Sequence, residues 1–444
     1  MKYIIIGGDA AGMSAAMQIV RNSEGNEIVT YEKGETYSYG QCGLPYTING
    51  IVDSTDDLIA RTPETFQEKY GIKTHTLHEV TKVDCEKKMV YGTNHHTGEG
   101  FEDQYDRLLV ATGASPNCPP WEGIESEGIF TLKTIPDAEE IMNYINEDVQ
   151  NVTIIGGGYI GLEMAETLCD IGKNVQIIER GERLAKIFDE DMSELIHEQA
   201  EKQNVKLTFK ESVEGFKTND NGRVRCVVTD QGEHPSDLVI IAVGVTPNTS
   251  FLQGTGIFTS VHGAIEVNTY MESTIKDIYA AGDCATQYHR VKQRPDYIPL
   301  GTHANKQGRV AGLNMINIPT PFKGIVGSSI IKFFDAALGK TGLSEHEAEA
   351  IHFPYTSVTI DSNHAAGYYS KDNPMKVKLV YNDHTRVLLG AQIIGGEGVD
   401  KRIDVIATAL YHSMTVDELV DLDLSYAPPF NSVWDPIQQA ARRA

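Results

Sequence analysis

The sequence lacks the long apolar runs that membrane spans and secretory signals require. A transmembrane helix needs about 18 consecutive apolar residues, and no stretch of this chain approaches that length. The apolar run in residues 3–6 is also too short for the core of a signal peptide. We therefore expect a cytoplasmic protein that does not bind membranes.

Positive charge and paired cysteines are scarce as well. The 38 lysines and arginines are outnumbered by 62 aspartates and glutamates, which gives a formal net charge of -24. Such a surface repels nucleic-acid backbones and anionic lipids. The six cysteines never occur as CxxC or CxxxxC pairs, which disfavours a zinc site and a secreted disulfide framework. We expect no nucleic-acid partner and no bound metal.

Two segments of the sequence repeat the order strand, glycine turn, helix and second strand. The first passes through a glycine turn at residues 7–12, a predicted helix at 13–20 and a predicted strand at 27–31, and closes at Glu32. The second passes through a glycine turn at residues 156–161, a predicted helix at 162–171 and a predicted strand at 174–178, and closes at Glu179. Glycines let the backbone turn tightly and approach a pyrophosphate, while the helix N-terminus offers free N–H groups to that anion. The closing carboxylate would accept hydrogen bonds from a ribose. The repeat therefore predicts two dinucleotide-binding units.

The two turns differ in ways that bear on their ligands. Asp9 stands where the first turn would have its middle glycine, whereas the second turn is complete. Glu179 favours NADH, because its charge would repel the 2′-phosphate of NADPH, but the adjacent Arg180 could bind that phosphate. We expect that NADH is preferred or that both nicotinamides are used.

A single cysteine follows the first unit closely. Cys42 lies in the segment SYGQCGLPY at residues 38–46, where Pro45 suits the first turn of a helix. A helix dipole stabilises the thiolate of a cysteine at the helix N-terminus, which predicts a lowered pKa and redox reactivity. The alternative is a buried, unreactive cysteine in a Gly-Pro turn. The nearby dinucleotide motifs favour the redox-active cysteine.

The segment around Cys42 and a second segment, at residues 274–283, resemble motifs of a known family. The sequence TIKDIYAAGD at residues 274–283 resembles the second FAD motif of the pyridine nucleotide–disulfide reductase superfamily. The segment around Cys42 resembles the coenzyme A-disulfide reductases, a branch of that superfamily with one active-site cysteine in place of two. The resemblance covers essentially the whole chain.

The resemblance implies an α/β fold with two Rossmann-like dinucleotide-binding domains and a C-terminal α+β dimerisation domain. An FAD-binding domain is expected at residues 1–115 and 246–321, an NAD(P)-binding domain at 116–245 and the dimerisation domain at 322–444. The implied cofactors are FAD and NADH or NADPH. The implied substrate is coenzyme A disulfide, and the implied assembly is a homodimer with the active site at the subunit interface.

The resemblance also implies which residues bind these ligands. The positions implied for FAD are Gly7, Gly8, Ala11, Gly12, Glu32, Lys33, Ala111, Thr112, Gly113, Gly282, Asp283 and Ala304. The positions implied for NAD(P)H are Gly156, Gly158, Tyr159, Ile160, Gly161, Glu163, Glu179, Arg180 and Gly244. The positions implied for coenzyme A are Ser14, Gln18, Arg21, Ser38, Gln41, Asn305 and Arg309. Tyr159 is expected to swing aside for the nicotinamide.

The implied reaction is catalysed at Cys42. This cysteine would form a mixed disulfide with coenzyme A, and Tyr368 and Tyr426 of the second subunit would stabilise thiolates by hydrogen bonds. Tyr369 is the alternative to Tyr368, because adjacent tyrosines leave the register open. Both segments could also supply ordinary interface aromatics.

Three other functions stay open. An NADH oxidase or peroxidase would cycle Cys42 through a sulfenic acid, but such relatives have a histidine where this chain has Ala10. Persulfide reductases often have an additional C-terminal domain, for which a chain ending at Ala444 has no room. A redox sensor that holds FAD and a coenzyme A adduct without turnover is the third.

Overall fold

The first nucleotide-binding unit is built on a five-stranded parallel sheet. The computed structural model describes residues 1–260, 262–370 and 373–444. In spatial order the strands are Ile278–Ala280, Arg107–Val110, Lys2–Ile6, Glu27–Tyr31 and Lys73–His75. The first four of these strands are mostly apolar because both faces of a parallel sheet are covered, whereas the edge strand Lys73–His75 is polar. An antiparallel sheet of His78–Asp84, Met89–Asn94 and Gly100–Gln104 is attached to this unit.

The second unit repeats this plan with its own parallel sheet. Its strands, in spatial order, are Lys206–Phe209, Asn174–Glu179, Asn151–Ile155, Leu238–Ile241 and Ile129–Phe130. A small antiparallel sheet contains Val213–Thr218, Val224–Thr229 and Gly232–Pro235. The helices of this unit are Ile135–Tyr144, Tyr159–Asp170 and Glu190–Lys202. The repeat predicted from the sequence is therefore confirmed.

The C-terminal unit has a five-stranded antiparallel sheet. Its strands, in spatial order, are Ser329–Phe333, Ala336–Gly342, Leu388–Gly395, Pro374–Tyr381 and Thr356–Asn363. Its helices are Glu345–Ala350, Val399–Tyr411, Val416–Val420 and Pro436–Ala441. The α/β prediction with a third, α+β unit is confirmed.

The chain passes between the two nucleotide-binding units through a pair of short antiparallel strands, Ala114–Pro116 and Val245–Pro247. We propose that both boundaries between the FAD-binding and the NAD(P)-binding domain lie in this pair of strands, where the sequence predicts them. Another short pair, Gln287–His289 and Arg294–Asp296, follows the last strand of the first sheet. Among the helices of the described residues, none combines the length and the apolar character that crossing a membrane requires.

Two helices of the first unit cross at very short distance. They are Ala10–Asn22 and Gly301–Met315, and the shorter helices Leu44–Ile48 and Pro63–Tyr70 belong to the same unit. A Cβ atom added to Gly308 would lie 2.1 Å from the carbonyl oxygen of Ala11, and one added to Gly312 would lie 2.4 Å from that of Ala15. The crossing therefore requires glycine on the second helix.

We expect Gly308→Ala to destabilise the protein by about 1–3 kcal/mol, because its methyl group would force two backbones apart. Gly301→Ala, on the same helix with no atom within 4 Å of the added Cβ, is the matched control and should be nearly neutral. Denaturant unfolding of both variants measures the difference. Equal unfolding midpoints would show that the crossing tolerates a side chain.

Candidate active site

One continuous cavity of about 2960 Å³ joins the two glycine turns. Three helices begin at its wall, at Ala10, Tyr159 and Gly301, and in none of them does the N-cap side chain accept a hydrogen bond from the first turn. The first N–H groups of a helix have no partner inside the helix, so these termini present donors to the cavity. The cavity is thus suited to ligands with anionic groups.

The first glycine turn has the geometry of a close pyrophosphate approach. Gly7 has φ +113°, and a Cβ there would lie 2.2 Å from the carbonyl oxygen of Ala111. The carboxylate of Glu32 accepts hydrogen bonds from the backbone N–H of Gly8 at 2.7 Å and of Gly34 at 2.8 Å. These amides fix the carboxylate at the cavity rim, where its remaining lone pairs can receive a ribose hydroxyl.

The second glycine turn is constructed in the same way. Gly156 has φ +105°, and no atom lies within 4 Å of a Cβ added to Gly158, so the space above that glycine is open. The Glu179 carboxylate accepts from Gly157 N–H at 2.9 Å and from Gly181 N–H at 2.8 Å. Both turns thus fit a dinucleotide, on geometry as well as on sequence.

Most residues expected to bind cofactors line the cavity. The exceptions are Gly8, Gly12 and Gly161, which lie behind its wall and make the tight turns possible. Of the residues expected to bind coenzyme A, Gln41 and Asn305 line the cavity, and Ser14, Gln18, Arg21, Ser38 and Arg309 lie outside it.

Cys42 is exposed at the cavity wall. It occupies a single 3₁₀ turn, Gln41–Gly43, that leads into the short helix Leu44–Ile48. Gly43 packs tightly behind it, because a Cβ there would lie 2.3 Å from a methyl group of Leu58. An accessible thiol is therefore presented to the cavity that joins the two glycine turns.

The pKa of Cys42 is raised, which makes the expected lowering wrong for the single chain. Desolvation of the thiol by the surrounding protein raises this pKa most. The nearby Glu163 carboxylate raises it further, whereas the Lys133 ammonium group lowers it. The following helix has only five residues, so its dipole is weak. Lys133 is also shared with Asp283, 3.2 Å away. Burial raises the pKa of Glu163 itself to about 7.

Asp9 holds the segment that carries the cysteine. Its carboxylate accepts the backbone N–H of Tyr39 at 3.2 Å and the side-chain amide Nε2 of Gln41 at 2.9 Å. Burial, with the Glu32 carboxylate adding to it, raises the pKa of Asp9 to about 6. The residue that breaks the glycine pattern thus connects the first turn to the residue next to Cys42.

The two crossing helices form one exposed surface next to the cavity. The Ser14 hydroxyl donates to the carbonyl oxygen of Asn305 at 3.0 Å, so the residues expected on separate helices come together. Arg21, Lys306 and Arg309 are exposed on the same pair of helices. This surface concentrates cations on a strongly acidic protein.

The expected tyrosines form a pair away from the cavity of their own chain. The hydroxyl groups of Tyr368 and Tyr426 lie 2.9 Å apart, and neither tyrosine lines that cavity. They belong to an exposed apolar patch, in which 78% of Tyr368 is accessible, together with Tyr369, Phe430, Val433 and Trp434. A contiguous patch of this kind marks an interaction surface.

Some residues at the cavity were not found from the sequence. Lys133 beside Cys42 lies in no recognisable motif. Ser329 of the C-terminal unit forms a hydrogen bond with the Tyr159 hydroxyl, and only the fold brings these two together. Arg183 and Lys186 line the cavity beside Arg180. Because they closely follow Glu179 in the sequence, they could have been predicted as further cations of the second nucleotide-binding unit.

Comparison with known proteins agrees with this geometry. The family model described as pyridine nucleotide-disulphide oxidoreductase matches residues 1–308, and its dimerisation-domain model matches residues 328–436. A relative from Pyrococcus horikoshii, named NAD(P)H coenzyme A polysulfide/persulfide reductase, is 38% identical over 443 residues, covering 99% of this chain and 98% of the relative.

Two further proteins are similar over the whole chain. The coenzyme A disulfide reductase of Staphylococcus aureus strain Mu3 is 33% identical over 445 residues, covering 100% of this chain and 99% of that protein. The crystal structure of reduced CoADR-RHD from Bacillus anthracis has a TM-score of 0.96 and 36% identity, covering 100% of this chain and 79% of that one.

The charges around Cys42 predict opposite effects of two variants. Glu163→Gln removes a negative charge and should lower the pKa of Cys42, so that alkylation near neutral pH becomes roughly two- to tenfold faster. Lys133→Gln should raise the pKa and slow alkylation. Mass spectrometry of the Cys42 peptide across pH measures both, with the exposed Cys118 as internal reference. Unchanged profiles in both variants would contradict the assignment.

Proposed function

Because the chain belongs to the pyridine nucleotide-disulphide oxidoreductase family, we propose that it is an FAD-dependent NAD(P)H oxidoreductase that reduces coenzyme A disulfide to two coenzyme A thiols. The observation that carries the proposal is an accessible cysteine, Cys42, in the cavity that joins both glycine turns, on a segment that Asp9 ties to the first turn. Cys118 is also exposed at this cavity but lies outside that segment. A CxxxxC pair would place a second cysteine five residues on, and that position is occupied by Thr47. The partner sulfur would therefore come from the substrate.

The cavity offers a distinct region to each cofactor. FAD would lie against the first glycine turn, with Glu32 at its ribose and Gly282, Asp283 and Ala304 along its length. NAD(P)H would lie against the second turn, with Glu179 at its ribose. When bound, FAD supplies the transfer of an electron pair from NAD(P)H to sulfur. Tyr159 would have to give up its hydrogen bond to Ser329 to admit the nicotinamide.

Both nicotinamides should be accepted. Arg180, Arg183 and Lys186 line the crevice beside Glu179, and among the described residues none of the three forms an ion pair with a carboxylate. The neighbouring Glu182, by contrast, pairs with Lys210 at 2.8 Å. Cations without carboxylate partners are available to a 2′-phosphate. They would offset its repulsion by Glu179.

The sulfur chemistry would proceed at Cys42 in two steps, a reduction and a thiol–disulfide exchange. Two electrons cleave the mixed disulfide between Cys42 and coenzyme A, which releases one coenzyme A thiolate and leaves Cys42 as thiolate. That thiolate attacks coenzyme A disulfide, forms a new mixed disulfide and expels the second thiolate. The released thiolates take up the two protons, one from NAD(P)H oxidation and one from solvent. A raised pKa of Cys42 makes its thiolate the stronger nucleophile but reduces its population at neutral pH.

The surface of the two crossing helices supports an anionic substrate. Coenzyme A carries phosphates, and a protein with a net charge of -24 needs local cations to bind it. Arg21, Lys306 and Arg309 provide such cations next to the cavity wall at Asn305. This placement supports the assignment of Ser14, Gln18 and Arg21 to coenzyme A.

The tyrosine pair supports a dimeric active site. Tyr368 and Tyr426 lie within the segment matched by the dimerisation-domain model, in an exposed apolar patch. In a two-fold dimer each patch would approach the partner, and the hydroxyls could donate hydrogen bonds to sulfur in the partner's cavity. We therefore propose that they act in trans.

A second acceptor is favoured by the comparisons. The Pyrococcus horikoshii relative named a polysulfide/persulfide reductase is matched over 98% of its own length, so that protein has no large additional domain. The additional domain is therefore not a feature of every relative named for persulfide reduction. Reduction of coenzyme A persulfide or polysulfide at Cys42 is the second candidate function.

The function is tested by anaerobic oxidation of NADH and NADPH with coenzyme A disulfide as sole acceptor. We expect two thiols per nicotinamide oxidised and no turnover in Cys42→Ser. Cys118→Ser, which alters the other exposed cysteine, is the control and should be fully active. Faster turnover with coenzyme A persulfide would favour the second candidate. Turnover with oxygen or peroxide alone would indicate an oxidase, and no turnover with any acceptor would leave a redox sensor.

The trans arrangement is tested with mixed dimers. Tyr426→Phe should reduce turnover about tenfold or more, because the hydroxyl donor is lost. A mixed dimer of a Cys42→Ser subunit and a Tyr426→Phe subunit should regain about half of the wild-type activity, since one intact site remains. A wild-type subunit paired with one that carries both substitutions has no intact site and is the control. The reverse pattern would place the tyrosine and the cysteine of one site in the same subunit.

A further inference from the structure

We propose that Asp9 is a positioning residue that sets the substrate specificity of this site by orienting the side-chain amide of Gln41. This inference rests on the proposed function, because it concerns which disulfides reach Cys42. The substrates selected would be disulfides whose arms carry an amide N–H close to sulfur, as the pantetheine arm of coenzyme A does.

The hydrogen bonds determine which end of the Gln41 amide faces the ligand. An ionised carboxylate can only accept hydrogen bonds, so the Asp9 oxygen 2.9 Å from Gln41 must be facing the NH₂ group. The amide oxygen of Gln41 is then directed elsewhere. Among the residues that the structure describes, no donor reaches that oxygen, and Gln41 lines the cavity. Gln41 thus presents an unoccupied acceptor next to Cys42.

Asp9 also fixes where this acceptor lies. Its other carboxylate oxygen accepts the backbone N–H of Tyr39 at 3.2 Å, and the backbone N–H of Ser38 donates to the carbonyl of Gly8 at 3.0 Å. The segment before the cysteine is therefore tied to the first glycine turn through both side chain and main chain. Glycine is the usual residue at this position of the turn, and it has no side chain that could accept a hydrogen bond from Tyr39 or Gln41.

An acceptor in this position discriminates by chemistry. A pantetheine arm can donate an amide N–H to Gln41, whereas an arm of bis(2-methoxyethyl) disulfide has the same two carbons beside sulfur but an ether oxygen, which cannot donate, in place of the N–H. When a bound ligand covers an acceptor that it cannot satisfy, the site rejects that ligand more strongly than it rejects a ligand that lacks a methylene group. The Asp9–Gln41 pair would therefore raise the specificity for pantetheine disulfides.

The charge state of Asp9 controls the arrangement. The ionisable groups that face it are Glu32 and Lys133, with Tyr39 and Cys42 on the segment it holds. Burial raises the pKa of Asp9 to about 6. Above this pH the carboxylate only accepts, and the amide has one orientation. Below it the protonated carboxyl can donate to the Gln41 oxygen, so the amide can turn over.

Asp9→Asn tests this inference in the FAD-loaded enzyme. Asparagine can still accept from Tyr39, but its amide allows either orientation of Gln41. We expect kcat/KM for pantethine to fall about tenfold through KM, with kcat/KM for bis(2-methoxyethyl) disulfide unchanged. The wild-type preference for pantethine should decline as pH falls through about 6, and the variant should show no such dependence. Asp9→Ala, which loses both bonds, should impair both substrates.

Two controls separate orientation from folding. FAD content should be unchanged in Asp9→Asn, because its bond to Tyr39 persists. Alkylation of Cys42 should be no slower, because loss of the Asp9 charge lowers the pKa of that thiol. Equal losses for pantethine and bis(2-methoxyethyl) disulfide, or no loss for either, would overturn the proposal.

Calorimetry keeps the test independent of turnover. Coenzyme A should bind about tenfold more weakly to Cys42→Ser enzyme when Asp9→Asn is added. If the wild type reduces no disulfide, the proposed function fails while this difference still supports the role of Asp9. Equal or undetectable binding in both forms would overturn it.

Discussion

The close crossing of helices Ala10–Asn22 and Gly301–Met315 is the constraint on which the candidate site depends. Because Gly308 and Gly312 have no side chains, the second helix lies against the backbone of the first at Ala11 and Ala15. That contact places the start of both helices at one cavity wall, with Gly282 between them. Helix donors, the residues beside Cys42 and the cationic surface are therefore consequences of one packing contact that joins distant parts of the sequence.

Around this frame the cavity holds carboxyl groups that are unusually easy to protonate. Burial raises the pKa of Asp9 to about 6 and that of Glu163 to about 7, and both lie near Cys42. Near neutral pH the electric field at the thiol is thus set partly by groups whose own pKa values lie close to that pH. Perturbed groups gathered at an exposed nucleophile are typical of functional sites. Lys133, held by Asp283, is the cation that opposes them.

Much of the fold could be predicted from the sequence, because its signals are local. The strand Glu27–Tyr31 was predicted with its observed bounds, and both glycine turns with their closing carboxylates were identified from spacing. The first helix was expected over residues 13–20 and extends over Ala10–Asn22, since helix ends depend on capping more than on apolar periodicity. Family resemblance supplied the tyrosines and the coenzyme A role of Cys42, which periodicity does not reveal.

What could not be predicted depends on contacts between distant segments. The bond from Asp9 to Gln41, the pairing of Lys133 with Asp283 and the contact of Tyr159 with Ser329 join residues 32, 150 and 170 positions apart. The pKa of Cys42 was misjudged for the same reason. A helix N-terminus is visible in the sequence, but the burial and the carboxylate that outweigh it are not.

The cationic surface of Arg21, Lys306 and Arg309 on a protein of net charge -24 has a kinetic consequence. A polyanion approaching from solution first meets the field of the whole molecule, which repels it, and feels the helix cations only within about one Debye length of roughly 8 Å. The final approach would then limit the rate at which such a ligand binds. Moderate salt would speed binding because it screens the repulsion, and higher salt would weaken the complex because it also screens the attraction to the cations.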